Sequence, residues 1–182
     1  MDSDSDDETL FDSLNHMRIH PNFLISNATS HTWALGAIAE LIDNAQDPDC
    51  SATTLHIDVD LSIPSEPHLF LIDNGKGCSV ETLTSMLSMG YCDKNALDLN
   101  TIGRYGNGFK SGTMRIGKDV LVLSKTLTQF NIGFLSQTFL FDKQAQQVYV
   151  PIVSFPVMKS ANGEQFCEFN VNELSDASKK GL

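Results

Sequence analysis

The clearest periodic pattern in the chain predicts a helix from about residue 32 to residue 46, TWALGAIAELIDNAQ. Residues that often cap helices precede it, and Pro48 follows it, as is usual where a helix ends. At about 100° per residue, this segment has an apolar side and a narrow polar side. The apolar side consists of Ala34, Leu35, Ile38, Leu41, Ile42 and Ala45. The polar side contains only carboxylates and amides: Glu40, Asp43, Asn44 and Asp47.

Alternating apolar residues predict a strand with one buried face, made of Leu55, Ile57, Val59 and Leu61. The run HLFLID predicts a second strand that enters a tight turn, and residues 80–89 predict a short helix. Strand-like runs follow late in the chain: VLVLSK from Val120, FNIGFLSQTFLF from Phe130 and VYVPIVSF from Val148. Early helices and late strands indicate an α+β fold, with helices on one face of a largely antiparallel sheet.

Length and charge indicate one domain with an acidic tail. The chain has 182 residues, with 12 Lys and Arg against 23 Asp and Glu, giving a net charge of −11. Acidic residues dominate its first twelve positions, MDSDSDDETLFD, without a basic partner. We therefore expect a disordered tail over residues 1–14 and a folded domain over residues 15–182. Because no basic patch is evident, direct binding to nucleic acid is not expected.

The sequence shows no feature typical of a membrane-spanning or secreted protein. No stretch approaches the about 18 apolar residues of a membrane span, and no apolar segment follows a basic start. The four cysteines form no C-x-x-C zinc pattern, so reduced thiols inside the cell are expected. They are Cys50, Cys78, Cys92 and Cys167. Asn27-Ala28-Thr29 matches a glycosylation acceptor, which means little without secretion.

The glycine-rich segment TIGRYGNGFKSG suggests an anion site. A phosphate-binding Walker loop is excluded because Phe109 separates Gly108 from Lys110, and the next glycine, Gly112, comes one position late for a dinucleotide fingerprint. What remains is a set of glycines that let backbone amides approach an anion, followed by the N-terminus of a helix. A flexible connector is the alternative.

Two further motifs suggest nucleotide chemistry. Glu40 and Asn44 lie one turn apart, so a carboxylate and an amide oxygen project together. Mg²⁺ prefers such oxygen ligands and usually combines one or two of them with phosphate oxygens, which leaves the carboxylate free to polarise water. In IDNGKG, Asp73 ends a strand beside glycines, where it can accept the amine of a base. The alternatives are a solvated helix face and an ordinary Asn-Gly turn.

The motifs E-x-x-D-N-x-x-D, D-N-G-x-G and G-F-K-S-G occur in the order found in GHKL ATPases, which include gyrase, heat-shock chaperones, histidine kinases and MutL. Four separate blocks more closely resemble the N-terminal ATPase module of the microrchidia (MORC) family, particularly its animal CW-type zinc-finger members. They are NATSHTWALGAIAELIDNAQDPDC, LSMGYCDK, IGRYGNGFKSGTMRIGKD and VYVPIVSF. The resemblance covers about residues 17–155.

This resemblance implies a Bergerat α/β sandwich, with helices on one face of a mixed, largely antiparallel sheet, that binds ATP with Mg²⁺. It implies that Glu40 is the general base, Asn44 the Mg²⁺ ligand and Asp73 the adenine acceptor, with Gly75 and Gly77 giving the base room. The implied phosphate-binding lid consists of Gly103, Arg104, Tyr105, Gly106, Asn107, Gly108, Phe109 and Lys110.

Family members dimerise when ATP binds and act in the nucleus on chromatin compaction and silencing. The resemblance therefore implies slow ATP hydrolysis, a homodimer or a mixed dimer with a longer homologue, and chromatin proteins as partners. A non-catalytic, nucleotide-switched dimerisation module is the alternative. A histidine-kinase domain is less favoured, because no phosphoacceptor hairpin precedes the motifs.

The chain departs from the family pattern in two ways. Cys78 stands where the family usually has methionine, which keeps a soft apolar side chain. Family ATPases also take a lysine from a following transducer-like domain and then carry a CW zinc finger, neither of which we expect in the residues after Phe155. We therefore expect either weak catalysis or a site completed by another chain.

Overall fold

The computed structural model describes residues 18–30, 33–88, 107–160 and 162–167, so the predicted tail lies outside the described residues. Its helices are α1 (Asn22–Ala28), α2 (Ala34–Gln46), α3 (Val80–Leu87), α4 (Gly108–Ile116) and α5 (Gln137–Asp142). Its strands are β1 (Leu55–Asp60), β2 (His68–Asp73), β3 (Asp119–Lys125), β4 (Gln129–Ser136), β5 (Ile152–Lys159) and β6 (Gln165–Cys167). None of these helices is long and apolar enough to cross a membrane.

The strands form two antiparallel units. β1 and β2 make a hairpin in which Leu55 pairs with Asp73. β3, β4, β5 and β6 lie side by side in that order. Helices α3 and α4 contact this larger sheet, and apolar side chains from helices and strands form the core between them. Its fully buried members are Leu24, Leu83, Leu87, Leu135 and Leu140. The predicted α+β fold, with helices packed on a largely antiparallel sheet, is thus confirmed.

Two late strand predictions are corrected. The run from Phe130 does not continue as one strand, because β4 ends at Ser136 and α5 follows. The Ser136 hydroxyl accepts a hydrogen bond from the Phe139 N–H at 2.8 Å, which caps the new helix. The run from Val148 becomes a strand only at Ile152. Pro151 precedes that residue and has no N–H to donate to a neighbouring strand.

The predicted burial of one face of the first strand is also wrong. Ile57 and Val59 of β1 are 48% and 50% exposed, and Leu35 of α2 is 54% exposed. β1 pairs with β2 alone among the described strands, so the apolar side of this hairpin remains accessible. In α2, Ala45 of the apolar side is buried, and Ala37 on the side of the helix that carries Glu40 is fully buried. The periodicity located both elements, but the predicted buried face of the strand is accessible.

Candidate functional site

Helix α2 turns its site residues toward α4. Ala37, Glu40 and Asn44 are spaced i, i+3 and i+7, so they share one face of the helix. α2 packs extensively against α4, and the contacts of Ala37 and Glu40 with α4 glycines show that this shared face is the interface. The alternative of a solvated acidic face does not hold here, because Glu40 and Asn44 are both half-buried.

The Glu40 carboxylate lies against the first residue of α4. A Cβ added at Gly108 would overlap Glu40 Oε2, so only glycine leaves the carboxylate in this place. A carboxylate beside a helix N-terminus is favoured by the helix dipole and by the free N–H groups of the first turn. Gly108 therefore allows the predicted general base to sit beside the predicted phosphate-binding backbone.

Gly112 supports the same helix contact one turn later. A Cβ at this position would lie 3.2 Å from the Ala37 carbonyl oxygen, which leaves no spare room between the two backbones. Since Gly108 meets Glu40 and Gly112 meets Ala37, the two helices run in opposite directions. Asn44, one turn after Glu40, therefore lies past the N-terminal end of α4, outside that helix.

Asn44 carries a buried polar atom that no described residue satisfies. Its Nδ2 is buried and has no hydrogen-bond partner within residues 18–30, 33–88, 107–160 and 162–167. A buried amide without a partner costs about 1–3 kcal/mol of free energy, which a bound group or an ordered water at this position would offset. The two ends of an amide are assigned from their partners, so the same position also suits the amide oxygen. This residue fits a ligand to Mg²⁺.

The described residues contain no cluster of three or more His, Cys, Asp or Glu side chains that could hold a metal ion. This finding is compatible with magnesium bound to nucleotide, because Mg²⁺ usually takes only one or two protein ligands and completes its shell with phosphates and water. A single amide such as Asn44 fits that coordination.

The predicted lid is described only from Asn107 onward, where it forms the start of α4. Gly103, Arg104, Tyr105 and Gly106 lie outside the described residues. Lys110 is fully buried, and its Nζ donates a hydrogen bond at 2.8 Å to the Met86 carbonyl in α3. This ammonium therefore ties α4 to α3. Phe109 packs against the apolar core.

The second predicted motif forms a braced turn after β2. Asp73 Oδ1 accepts the Gly75 N–H at 2.8 Å, and the Cys50 thiol lies 3.5 Å from the same oxygen. A Cβ at Gly75 would overlap Cys50 Sγ, so glycine is required for this approach. No described residue donates to Oδ2 of Asp73. That oxygen is available to an amine of a base.

Asn74 fixes the turn to the segment that follows α2. Its Oδ1 accepts the N–H groups of Thr53 and Thr54, both at 2.9 Å, and its Nδ2 donates to Thr53 Oγ1 at 2.9 Å. Lys76 adds a backbone bond to the Cys50 carbonyl at 2.9 Å. The alternative of an ordinary hairpin turn fails, because this turn does not join β2 to a neighbouring hairpin strand.

Gly77 and Cys78 connect the turn to the larger sheet. Gly77 has φ +70°, a left-handed conformation that favours glycine, and a Cβ there would overlap the Lys125 carbonyl oxygen. The Cys78 N–H donates to Ser124 Oγ at 2.7 Å, and the Cys78 carbonyl accepts from Asn131 Nδ2 at 2.8 Å. The thiol also packs beside the core, as a soft side chain was expected to do.

Both thiols near Asp73 have raised pKa values. Burial is the largest cause for Cys50, followed by the charge of Asp73 and the hydrogen bond to it. Burial also raises the pKa of Cys78, and the hydrogen bond with Ser124 opposes that increase. Each thiol therefore stays protonated at neutral pH, and Cys50 acts as a hydrogen-bond donor to Asp73 rather than as a second negative charge.

The predicted residues thus form two groups. In the first group, the Glu40 carboxylate lies against Gly108 at the start of α4, and Asn44 follows one turn further along α2. In the second group, Asp73, Gly75 and Gly77 form the braced turn. The groups are linked because Ala52, in the segment between α2 and β1, donates to the Ala45 carbonyl at 3.0 Å.

Sequence reasoning missed Asn27, Cys50 and Asn74, whose partners are too distant in the chain for any local pattern to indicate. Asn27 forms two hydrogen bonds with Asn107.

Comparison with known proteins identifies the family to which the chain belongs. The profile of the family "Histidine kinase-, DNA gyrase B-, and HSP90-like ATPase" matches residues 31–165. The chain is 48% identical to mouse "MORC family CW-type zinc finger protein 3" over 136 residues, covering 74% of the chain and 14% of that protein. It is 46% identical to Arabidopsis "Protein MICRORCHIDIA 7" over 150 residues, covering 77% of the chain and 21% of that protein.

A third relative, mouse "ATPase MORC2B", is 35% identical over 144 residues, covering 79% of the chain and 14% of that protein. The chain thus spans a quarter or less of the length of these curated relatives. The resemblance to MORC proteins expected from the motifs is confirmed over most of the chain. The match of the family profile to most of the chain shows that it belongs to the histidine kinase-, DNA gyrase B- and HSP90-like ATPases.

Proposed function

We propose that this chain is an ATP-binding module that hydrolyses ATP slowly with Mg²⁺. The observation that carries the proposal is the shared face of α2, where the Glu40 carboxylate borders the N-terminus of α4 and the Asn44 amide has an unsatisfied buried atom. A base, a metal ligand and free backbone N–H groups are the parts that phosphoanhydride hydrolysis requires. Family membership supports the same chemistry.

Asp73 is the proposed acceptor for the adenine amine. Its Oδ1 is held by the Gly75 N–H, which leaves Oδ2 to meet the base. Gly75 and Gly77 are the glycines that the family resemblance places beside the adenine, and close protein neighbours leave no room for a Cβ at either position. The protonated Cys50 thiol keeps an additional negative charge away from Asp73. These features support adenine recognition at the braced turn.

The N–H groups of the first turn of α4 are the proposed phosphate-binding groups, together with the preceding glycines Gly103 and Gly106. Helix N-termini favour anions because their N–H groups are free and the dipole is positive there. The Lys110 ammonium is assigned a different role, because it donates to Met86. Backbone amides rather than this side chain are therefore proposed to meet the phosphates.

Glu40 is the proposed general base. Its carboxylate accepts a proton from water, whose oxygen forms a bond to the γ-phosphorus. The bond between that phosphorus and the β,γ-bridging oxygen breaks, and ADP leaves with the electron pair on the bridging oxygen. Asn44 would hold Mg²⁺, which when bound neutralises charge on the phosphates.

The wider assignments are proposals from the MORC resemblance. We propose that ATP binding drives formation of a homodimer, or of a mixed dimer with a longer homologue. We also propose that the module acts in the nucleus with chromatin proteins. The similarity to MORC proteins from mouse and Arabidopsis supports this assignment.

Phosphate release by the wild-type chain and by Glu40→Gln tests the enzymatic proposal. We expect Glu40→Gln to bind a non-hydrolysable ATP analogue normally and to lose about 10²-fold or more of its turnover, the usual contribution of a general base. Sedimentation in the same samples reports whether the analogue produces a dimer.

The two readouts distinguish the two functional hypotheses. Analogue-dependent dimers without phosphate release above background would identify the non-catalytic switch. Unchanged turnover in Glu40→Gln would place the base elsewhere. A dimer population that does not respond to the analogue would contradict the proposed role of ATP in assembly.

A further inference from the structure

A row of three polar side chains crosses the larger sheet on the face that packs against α3. Ser124, Asn131 and Ser154 are cross-strand neighbours on β3, β4 and β5. Gly133, two residues after Asn131 and therefore on the same side of β4, lies against leucines of α3. Asn131 is fully buried. Because a buried amide costs free energy unless it forms hydrogen bonds, its partners explain why this core position is polar.

This row holds Cys78 on both sides. Ser124 Oγ accepts the Cys78 N–H at 2.7 Å, and Asn131 Nδ2 donates to the Cys78 carbonyl at 2.8 Å. The Ser154 hydroxyl donates to Asn131 Oδ1 at 2.6 Å, which orients the amide with its nitrogen toward Cys78. The Cys78 backbone is therefore fixed to three adjacent strands.

Through Cys78 the row also fixes the end of the braced turn. Gly77, the preceding residue, has φ +70° and lies so close to the Lys125 carbonyl that a Cβ would overlap it. The other end of the turn is held separately, because Asn74 bonds to the segment before β1. Asp73 thus belongs to a turn that is anchored at both ends, once to that segment and once to the buried row.

We propose that Asn131 is a positioning residue for base recognition. By holding the Cys78 carbonyl, it fixes Gly77 and so keeps the Asp73 carboxylate in a constant place relative to the floor of the base site. The inference rests on the proposed binding of adenine at Asp73. It assigns selectivity for the amine of the base to a residue that does not contact the base and belongs to no motif of the sequence.

The proposed role gives a specific expectation for the amine. In Asn131→Ala the Cys78 carbonyl loses its donor, so Gly77 and Cys78 gain freedom and the bond from the amine to Asp73 loses its fixed geometry. The affinity for a ligand that carries the amine should fall more than the affinity for the same ligand without it. A general loss of stability would lower both affinities alike.

The test compares ADP with purine riboside diphosphate, which lacks the amine, by calorimetry. We expect the wild type to bind ADP at least about tenfold more tightly, and Asn131→Ala to prefer it only about threefold or less. The matched control is Gln137→Ala, which removes another buried amide, one that donates to Met114 Sδ. It should lower stability and keep the preference of the wild type, and thermal unfolding verifies that each variant is folded.

Ser154→Ala provides a milder second variant. It keeps the Asn131 amide and removes only the hydroxyl that orients it, so the preference for ADP should lie between those of the wild type and Asn131→Ala. If Asn131→Ala does not fold, Ser154→Ala alone decides. A preference equal to that of the wild type in every folded variant of the row, or an equal loss in Gln137→Ala, would overturn this inference. A wild type that binds both ligands equally would instead contradict the proposed role of Asp73.

Discussion

The two groups of site residues differ in how completely the protein satisfies them. At the turn after β2, Asn74 uses both ends of its amide in three hydrogen bonds, and Asp73 Oδ1 is held by Gly75. Where α2 meets α4, the buried Asn44 Nδ2 has no hydrogen-bond partner in the part of the chain that the structure describes, and the Asn107 side chain makes no capping bond to α4. The turn after β2 is therefore formed by the protein's own hydrogen bonds, whereas the contact of α2 with α4 presents a polar group that a ligand can satisfy.

This difference matches the chemistry proposed for each region. A base is recognised by shape and by a fixed hydrogen-bond acceptor, so a rigid turn gives selectivity without further movement. Phosphates and Mg²⁺ are highly charged and require donors and oxygen ligands that the protein itself does not use. The segment between α2 and β1 contacts both regions, which fixes the proposed adenine site relative to the proposed phosphate site.

The largest expected effect comes from Gly108→Ala. The new Cβ would occupy the place of Glu40 Oε2, and the carboxylate, as the end of a flexible side chain, can move away at little cost to folding. We expect turnover to fall about 10²-fold, because a displacement of about 1 Å in a reacting group has effects of that size. Phosphate release and thermal unfolding measure the two properties separately.

Gly112→Ala is the matched control for this prediction. Its Cβ meets the Ala37 backbone carbonyl rather than a movable side chain, so it should lower stability while retaining more turnover per folded molecule. If Gly108→Ala keeps wild-type turnover, or if both variants lose turnover and stability in parallel, then the Glu40–Gly108 contact has no special role in catalysis.

A smaller effect is expected at the braced turn. Asn74→Ala removes three hydrogen bonds, two of them to the N–H groups of Thr53 and Thr54. Because these groups are exposed and water can replace the lost partner, we expect about a tenfold loss of ATP affinity with saturated turnover nearly unchanged. Steady-state kinetics should show a raised KM and a similar kcat.

Thr53→Val is compared with Asn74→Ala and has the smallest expected effect, because it removes one of the three hydrogen bonds of Asn74. It removes only the Oγ1 that accepts from Asn74 Nδ2 and keeps the two backbone bonds. The loss of ATP affinity should therefore be only about twofold to threefold. A decrease of kcat rather than of affinity in Asn74→Ala would show that the turn contributes to catalysis. It would contradict the proposal that the turn serves base recognition while the α2–α4 contact serves the phosphate chemistry.

Local patterns located most elements because those elements depend on neighbouring residues. The predicted helix over residues 32–46 corresponds to α2, and the short helix after the second motif corresponds to α3. The burial of Ala37 and the half-burial of Glu40 arise because α4 covers this side of α2, which hydrophobicity alone cannot indicate. Likewise, the Ser136 cap that ends β4 depends on a single hydroxyl within an apolar run.

The motifs identified Glu40, Asn44 and Asp73 as candidates, because their residue types and spacing suit metal and base binding. Their supports could not be predicted in the same way. Asn27 meets Asn107 across 80 positions, and Asn74 meets Thr53 across 21 positions. Such partners depend on tertiary packing, and an asparagine without its partner resembles any polar residue at a turn or helix end.

Asn44 is proposed to make nucleotide binding depend on Mg²⁺, and calorimetry measures this dependence. A non-hydrolysable ATP analogue is titrated into the wild type and into Asn44→Ala, each with Mg²⁺ and with excess chelator, after thermal unfolding has verified both folds. We predict that Mg²⁺ strengthens binding to the wild type about tenfold or more and has no such effect on Asn44→Ala. Equal enhancement by Mg²⁺ in both proteins would contradict the claim.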